Sequence, residues 1–257
     1  MWEKTSGKTC LEVCVDSFAS AMAAVRGGAD RLELCGSLII GGVTPDAELL
    51  RQIRRVSDIP VRCLMRPRFG DFLYTEEEAA MMEAQIHVLG DAGADGFVIG
   101  CLTPEGDLDI PKMKRLVTAA KGRGLTLHRA FDVSRDGFKT AREAAELGMD
   151  TILTSGQAKS AWEGRAYLEK LLQENLPLTI MAGAGVNARV IGDLQAILPI
   201  RTFHMSGKIT RESGMTFRRE GVPIGLPGID EFSIWETSED AVRDAAQVLK
   251  GETDDAR

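Results

Sequence analysis

Two short segments near the start of the chain each combine a glutamate with a cysteine. Leu-Glu-Val-Cys at residues 11–14 and Leu-Glu-Leu-Cys at residues 32–35 are near copies. The thiols of Cys14 and Cys35 are soft donors of the kind that bind Cu(I) or zinc. A structural role is the alternative, because cysteine is often fully buried and packs as a small hydrophobe. The remaining cysteines are interpreted as structural: Cys10, Cys63 and Cys101.

A set of charged residues could instead carry acid-base chemistry. As catalytic candidates we take Glu12, Glu33, Arg66, His128, Asp132 and His204. A carboxylate beside a histidine can move protons, and an arginine can bind an anionic substrate or stabilise an enolate. We expect Arg66 to pair with the two glutamates, because buried carboxylates are tolerated chiefly when they are paired. The competing interpretation is an ion network that only fills the interior of the fold.

Glycines and hydroxyl groups in the second half of the chain suggest an anion site. Segments 181–187 and 204–208 place glycines where backbone N–H groups can bind phosphate. Tight turns need glycine too, so the glycines alone do not decide the matter. Ser155 is better interpreted as a hydrogen-bonding residue than as a nucleophile. The candidate anion-binding residues are Arg129, Ser155, Gly183, Gly185 and Ser206.

Eight short apolar runs, alternating with segments of helical period, could position these residues. The runs cover residues 11–15, 31–35, 61–65, 96–100, 125–130, 151–155, 178–183 and 202–206. Strict alternation predicts parallel strands and an α/β fold, a (β/α)8 TIM barrel that forms a single domain over residues 1–257. An open doubly wound sheet is the competitor, but no Gly-x-Gly-x-x-Gly follows the first run. Residues 208–237 are predicted to be a long loop before the last helix, serving as a lid, a binding loop or an oligomer contact.

Start signals mark several of the helices. Thr44 followed by Pro45 predicts a helix N-cap, and Thr75 with Glu78 predicts a capping box. A further helix is expected to begin at Asn187, directly after the glycine-rich segment.

The alternation of side chains along each strand predicts which residues face the barrel interior. A carboxylate against the helix layer would be costly to desolvate, so Glu12 should point inward, and Cys14 with it. The same alternation turns Glu33 and Cys35 inward from the second strand. Later strands should contribute Arg62, Arg66, His128, His204 and Ser206. We therefore expect thiols and charges to meet at the mouth of the barrel.

Composition and charge limit the classes of binding partner and the cellular compartment that we expect for this protein. The chain has 257 residues and a net charge of −7, which argues against a protein that coats nucleic acid or anionic membrane. No apolar stretch approaches the length of a membrane span, and the first residues lack an apolar signal core. Five cysteines, none in a Cys-x-x-Cys pair, fit reduced thiols better than a disulfide framework. We expect a cytoplasmic protein, and the sequence predicts no organic cofactor.

Several motifs, taken together and in order, resemble the CutC copper-homeostasis family. They are EVCVDS, GGADRLELC, GGVTP, RPRFGDFLY, LHRAFD, TSG and FHMS, and they span about Leu11 to Lys208. The resemblance implies a (β/α)8 barrel, cytosolic copper handling and a homodimer or higher homo-oligomer. It also implies that Cys14 and Cys35 bind Cu(I). This chain departs from the family at Ala182-Gly183-Ala184-Gly185-Val186, where the family commonly has a Pro-Gly-Gly-Gly-Val-like run.

Two functional hypotheses follow. In the first, the protein is a copper-homeostasis protein that holds Cu(I) between Cys14 and Cys35. In the second, it is an enzyme of isomerase or lyase type that acts on a small anionic or phosphorylated metabolite. There His128 or a glutamate would move a proton, while Arg66 and Arg129 would hold the anion. A copper store would not need those charged residues, whereas the motifs favour copper.

Overall fold

The computed structural model describes residues 9–251 apart from positions 220, 223, 226, 227 and 229. Strands and helices alternate along almost all of this chain. The predicted single domain over residues 1–257 extends beyond the described residues at both ends. The strands are β1 (Cys10–Val15), β2 (Arg31–Leu34), β3 (Val61–Leu64), β4 (Gly96–Ile99), β5 (Gly124–Leu127), β6 (Thr151–Thr154), β7 (Thr179–Ala182), β8 (Thr202–Met205), β9 (Lys208–Glu212) and β10 (Ser233–Thr237).

The helices occupy the connections between the strands. They are α1 (Phe18–Arg26), α2 (Ala47–Arg54), α3 (Glu76–Asp91), α4 (Ile110–Ala119), α5 (Gly137–Glu146), α6 (Arg165–Gln173), α7 (Ala188–Gln195) and α8 (Glu239–Lys250). Within the described residues, none of these helices has the length and apolar character needed to cross a membrane.

Strands β1 to β8 close into a parallel barrel, in which β8 pairs with β1. The predicted (β/α)8 barrel is therefore confirmed. Alternate residues of β1 divide between two environments: Leu11 and Val13 join the large core beneath the helices, whereas Cys14 lies in a small cluster inside the barrel. This division is the period of two expected for a strand, and it gives the barrel an interior distinct from its helix layer.

An aspartate ties each of three strand pairs together at the amino end of the barrel. Asp30 accepts the backbone N–H of Leu11, in the preceding strand, at 2.8 Å. Asp95 does the same for Val61, also at 2.8 Å, and Asp150 for Leu125 at 2.7 Å. Each aspartate precedes an even-numbered strand and bonds to the odd-numbered strand before it. The N–H group at the start of each of these odd-numbered strands is therefore satisfied by a carboxylate.

Arg62 fills the amino half of the barrel interior. Its side chain is buried and forms an ion pair of 2.7 Å with Asp150, and it donates to Thr126 at 2.6 Å. A Cβ atom on Gly124 would lie 2.8 Å from an Arg62 nitrogen, so only glycine leaves room for the guanidinium there. The barrel is thus a packed structure at this end, and its cavity lies at the other end.

The helix starts agree with the sequence at two of three positions. Thr75 and Glu78 form the predicted capping box of α3, and Asn187 caps α7 by accepting from the N–H of Val190. The predicted cap at Thr44 is wrong, because α2 begins later and is capped by Asp46. The Thr44 hydroxyl instead accepts the backbone N–H of Arg66 at 3.0 Å, which links this loop to the end of β3.

The predicted long loop over residues 208–237 contains regular structure at both ends. Strands β9 and β10 pair as an antiparallel hairpin, in which Thr237 is opposite Lys208 and Trp235 is opposite Thr210. The hairpin is fixed to the barrel at its base, where the Thr237 N–H donates to the Ser20 hydroxyl at 3.1 Å. Two paired strands, of which β9 is exposed throughout, therefore stand beside the barrel mouth where the sequence predicted a loop.

Candidate functional site at the barrel mouth

A cavity of about 330 Å³ opens at the carboxyl ends of the barrel strands. Seven of the residues predicted from the sequence line it: Cys14, Glu33, Arg66, His128, Arg129, His204 and Ser206. The hairpin contributes a further side of the cavity through Lys208, Trp235, Glu236 and Thr237. The cavity therefore combines thiol, carboxylate, imidazole and cationic groups.

Glu12 is fully buried below the cavity between two cationic partners. One carboxylate oxygen lies 2.9 Å from Nδ1 of His204, and the other accepts from Nε of Arg31 at 2.5 Å. Burial alone would raise the pKa of Glu12, but the charge of Arg31 and the hydrogen bond with His204 outweigh burial and hold this pKa well below its usual range. Glu12 is therefore a fixed anion that orients the His204 ring.

Glu33 is in a different electrostatic situation. It is buried, and its carboxylate lies 3.6 Å from Nε2 of His204, on the opposite side of the ring from Glu12. Burial raises the pKa of Glu33, and the negative charge of Glu12 adds to the effect. The two glutamates therefore differ in proton affinity, a pattern that separates a charged orienting group from an acid or base.

The two candidate thiols lie next to Glu33. Barrel stagger sets Cys14 opposite Glu33 in the sheet register, so Cys35 lies beyond it, directly after the end of β2. The Cys35 thiol donates to a Glu33 carboxylate oxygen at 3.4 Å. Cys14 and Cys35 belong to the same small cluster with Leu64 and Val98, but of the two thiols only Cys14 lines the cavity. Burial raises the pKa of Cys35 well above its usual range, so the free chain keeps this group as a thiol.

Cys14, Glu33 and His204 form a group that could hold a metal ion. One ligand atom from each residue lies within 4.8 Å of the other two. Thiolate and imidazole suit copper, whereas a carboxylate is a hard ligand that adds little for Cu(I). The donor chemistry of this group and of neighbouring Cys35 therefore fits Cu(I). For His204, burial opposes the positive charge, but Cys14, Glu33 and Glu12 together raise its pKa well above the usual value.

Arg66 and His128 form the wall of the cavity beyond the thiols. The expected pairing of Arg66 with the glutamates is wrong: its guanidinium donates to the carbonyl oxygens of Gly42 at 3.0 Å and Gly70 at 2.6 Å. Arg31 is the arginine that pairs with Glu12. The Phe72 ring packs against both wall residues, with its centroid 4.7 Å from the His128 ring and 5.2 Å from the Arg66 guanidinium carbon.

Asp132 and Ser155 lie outside the cavity lining and organise the loop after β6. The Asp132 carboxylate accepts from the Ser155 N–H at 3.0 Å and from the Thr154 hydroxyl at 2.5 Å. Arg129 donates to Asp132 at 2.7 Å and to the Ser155 hydroxyl at 3.0 Å. Asp132 therefore holds Arg129 at the cavity edge, where the arginine is the member that can contact a ligand.

The glycine-rich turn after β7 is packed against neighbouring chain segments. The Gly183 N–H donates to the Thr154 carbonyl oxygen at 2.9 Å, and a Cβ on Gly183 would lie 2.5 Å from Leu153. Gly185 has a φ of +72° and lies against Ser160. Neither glycine lines the cavity, whereas Ser206 does.

Several side chains that line or support the cavity were not among the predicted site residues, although the candidate anion segment 204–208 includes Lys208. Arg31 has the same strand parity as Glu33, so the alternation that turned Glu33 inward also marked Arg31. Phe72 lies in a loop, and the hairpin residues Lys208 and Trp235 lie in a segment without apolar periodicity. Lys208 places its ammonium 3.3 Å from the centre of the Trp235 ring. No local pattern predicts that pairing, because it depends on the fold of the hairpin.

The cysteines interpreted as structural lie away from the cavity lining. Cys63 and Cys101 are fully buried in the core beneath the helices, and Cys10 is half-buried at the start of β1. Burial raises the pKa of Cys10 to about 11 and that of Cys101 to about 12. These three thiols therefore stay protonated at neutral pH.

Comparisons with known proteins match this chain to one protein family. The CutC family model matches residues 9–209. The family protein CutC of Vibrio parahaemolyticus (serotype O3:K6, strain RIMD 2210633) is 43% identical over 245 residues, which cover 94% of this chain and 99% of that protein. The family protein CutC of Histophilus somni (strain 2336) is 42% identical over 233 residues, which cover 90% and 96%.

A solved structure is also similar. The crystal structure of CutC from Streptococcus agalactiae, described as a copper homeostasis protein, has a TM-score of 0.73 and 27% identity, and the match covers 77% of this chain and 98% of that one. The fold, the order of the motifs and the relatives that match nearly end to end lead to one assignment: this chain belongs to the CutC family.

Proposed function

We propose that the protein binds Cu(I) at the barrel mouth, with Cys14 and Cys35 as thiolate ligands and with His204 as a neighbouring nitrogen donor once its ring loses the Nε2 proton. The observation that carries this proposal is the position of the two thiols, which come from adjacent strands and share one cluster inside the barrel. The grouping of Cys14 with His204 supports it, as does the copper homeostasis role given to the Streptococcus agalactiae relative.

Glu33 has a defined part in this proposal. Copper binds the thiolate, so the proton on Cys35 has to leave when the metal arrives. The Cys35 thiol already donates to Glu33, which therefore lies where it can accept that proton. Because ligand protons are released, Cu(I) affinity should rise with pH.

An anaerobic Cu(I) titration against a competing chelator tests the proposal. The double variant Cys14→Ser/Cys35→Ser should bind Cu(I) at least about 100-fold more weakly, since both soft ligands are lost. Cys10→Ser is the matched control, because it removes a half-buried thiol from the same strand but outside the cavity lining. Equal affinity in the wild type and the double variant would contradict Cu(I) binding by this pair.

A second candidate function is proton-transfer catalysis on a small anionic substrate. The observation in its favour is Glu33, a buried carboxyl group with a raised pKa that borders the cavity. It lies beside a histidine that Glu12 and Arg31 hold in place. A carboxyl group of raised pKa can take a proton from a carbon next to a carbonyl and return it elsewhere. Arg129 and Lys208 border the same cavity and would attract the anion.

The two candidates respond differently to substitution. Under the catalytic hypothesis, Glu33→Gln should lower turnover of a substrate found by metabolite screening about 100-fold or more, because the proton carrier is lost. The double serine variant should retain much of that turnover. Under the copper hypothesis the thiols dominate, and Arg66→Ala should leave Cu(I) affinity nearly unchanged. Turnover that depends on both thiols and not on Glu33 would contradict the catalytic assignment.

A further inference from the structure

His128 has a defined tautomer in this structure. The backbone N–H of Ala130 donates to Nδ1 of the His128 ring at 3.1 Å. A backbone N–H can only donate, so Nδ1 must be the accepting nitrogen. In the neutral ring the proton is then on Nε2. The ring is held close to the chain, since a Cβ on Gly100 would lie 2.5 Å from its Cε1 atom.

The Nε2–H group of His128 has no hydrogen-bond partner among the described residues. The residue is 4% exposed, so water does not compensate freely for the missing partner. A buried donor left without a partner is unfavourable by an amount comparable to a lost hydrogen bond, and such donors are rare in folded proteins. His128 also lines the cavity, but its Nε2 atom is almost completely covered, so an acceptor from a ligand there reaches it after a small shift of the ring or its neighbours.

His128 is kept neutral by its surroundings. Burial, followed by the positive charge of Arg66, lowers the pKa of His128 to about 3. The ring therefore stays uncharged across the physiological range and does not exchange a proton with a substrate. It can donate a hydrogen bond at every such pH, which differs from the proton-carrying role considered for it from the sequence.

Arg66 supplies a positive charge next to this donor. Its guanidinium is bound by backbone carbonyl oxygens, and within the described part of the chain no carboxylate lies within ion-pair distance of it. Phe72 packs against both residues and fixes them relative to each other. The wall therefore offers one uncompensated cation and one unused N–H donor to the cavity.

We infer that Arg66 and His128 form a subsite for an oxygen atom of a small anionic ligand, in which His128 donates from Nε2 and Arg66 supplies the charge. This deepens the second candidate function, on which it rests, by giving the ligand class and by assigning His128 as a neutral donor. A carboxylate and a phosphate share the required chemistry, which is an anionic oxygen acceptor. In a reaction, the same donor would stabilise negative charge developing on that oxygen.

The test is a titration of the copper-free full chain, labelled with ¹⁵N in histidine, with inorganic phosphate and separately with oxalate. The chain has three histidines, so comparison with His128→Leu identifies the His128 signals. We expect a protonated Nε2 and a bare Nδ1 between about pH 5 and pH 8. We also expect the Nε2–H resonance to shift saturably with millimolar phosphate or oxalate. A response to phosphate alone would indicate a phosphorylated ligand, and a response to oxalate alone a carboxylate.

Variants then show whether His128 donates a hydrogen bond to the anion or only packs beside it. His128→Leu should weaken binding of the responding anion about tenfold, as expected for one hydrogen bond to a charged group. His128→Gln should recover part of that loss, because its amide also donates, and Arg66→Ala should weaken binding at least as much as His128→Leu. Circular dichroism confirms that each variant is folded. The inference is overturned if neither anion shifts the resonance, if the proton is on Nδ1, or if His128 titrates between pH 5 and pH 8.

The readout does not depend on either proposed function. Copper is absent from the titration, so failure of Cu(I) binding leaves its result intact. Turnover is not measured, so binding of either anion supports the subsite whether or not the protein is a catalyst.

Discussion

At the scale of single residues, the chemistry of the barrel mouth depends on which cation pairs with which carboxylate. Side-chain parity predicted that Glu12, Cys14 and Glu33 face inward, and the structure places them there. Parity does not specify which cation pairs with which carboxylate. The sequence favoured Arg66 for that role, but the register of β1 and β2 sets Glu12 opposite Arg31, and the alternation of residues along each strand does not reveal that register. Which cation pairs with which carboxylate therefore depends on how neighbouring strands are offset from each other in the folded barrel.

The lowered pKa of His128 predicts a pH dependence of stability. Between about pH 3 and pH 6.5 the unfolded chain binds a proton at this histidine and the folded chain does not, so the free energy of unfolding falls as pH falls. The contribution of this one group is about 1.4 kcal/mol per pH unit. His128→Gln should reduce the slope of unfolding free energy against pH by about this amount, as measured by urea denaturation at several pH values.

Two outcomes check this assignment. Above pH 6.5 the slopes of the wild type and the variant should coincide, because the histidine is neutral in both folded and unfolded chains. Equal slopes below that pH would show that His128 takes up a proton in the folded state, contrary to its burial.

At the scale of elements, short sequence patterns predicted contacts between residues that are close in the chain. They missed contacts between residues that are far apart in the chain. The capping box of Thr75 and Glu78 joins residues three positions apart, and it was predictable. Thr44 looked like a cap because Pro45 follows it, but its hydroxyl bonds to the end of β3 instead. The hairpin of β9 and β10 pairs segments that residues 213–232 separate in the sequence, so no short-range pattern indicated it.

The aspartates at the amino end of the barrel should differ in their contribution to stability. Asp30→Ala removes the acceptor for the Leu11 N–H and should lower the free energy of unfolding by about 1–2 kcal/mol. Asp150→Ala also removes the carboxylate paired with buried Arg62, so we expect a loss of about 3 kcal/mol or more. Urea denaturation of the two variants measures the difference.

The matching asparagine variants isolate the charge. Asp30→Asn and Asp150→Asn both keep an acceptor for the strand N–H; Asp30→Asn removes an ion pair with partly exposed Lys250, whereas Asp150→Asn removes the ion pair with buried Arg62. Similar losses in these two variants would argue that the ion pair with Arg62 contributes little.

At the scale of the whole molecule, the barrel and the hairpin should differ in local stability. The barrel strands are almost entirely buried, whereas every residue of β9 is exposed, and β10 is exposed at Ile234 and Trp235 but buried at Thr237. Regions with few buried contacts open at lower free energy than the core. The hairpin is therefore the part of the described mouth that is best able to move.

Hydrogen exchange with mass spectrometry tests this difference. Peptides covering β9 and β10 should exchange at least about 100-fold faster than peptides covering β1 to β8, because the latter open only with the core. The base of the hairpin, where Thr237 bonds to Ser20, should show intermediate protection. Uniform protection across barrel and hairpin would mean that the hairpin unfolds only with the whole barrel.

The side chain of Arg62 fills the amino end of the barrel, so the cavity lies at the carboxyl ends of the strands. Because that guanidinium and its partners fill the amino half, Cys14 is approached through the cavity that Arg66, His128, Lys208 and Trp235 also line. Whatever binds nearest the entrance then obstructs whatever lies deeper. Arrival and departure become sequential, so the residence time of a deep ligand is set by how often the outer occupant leaves.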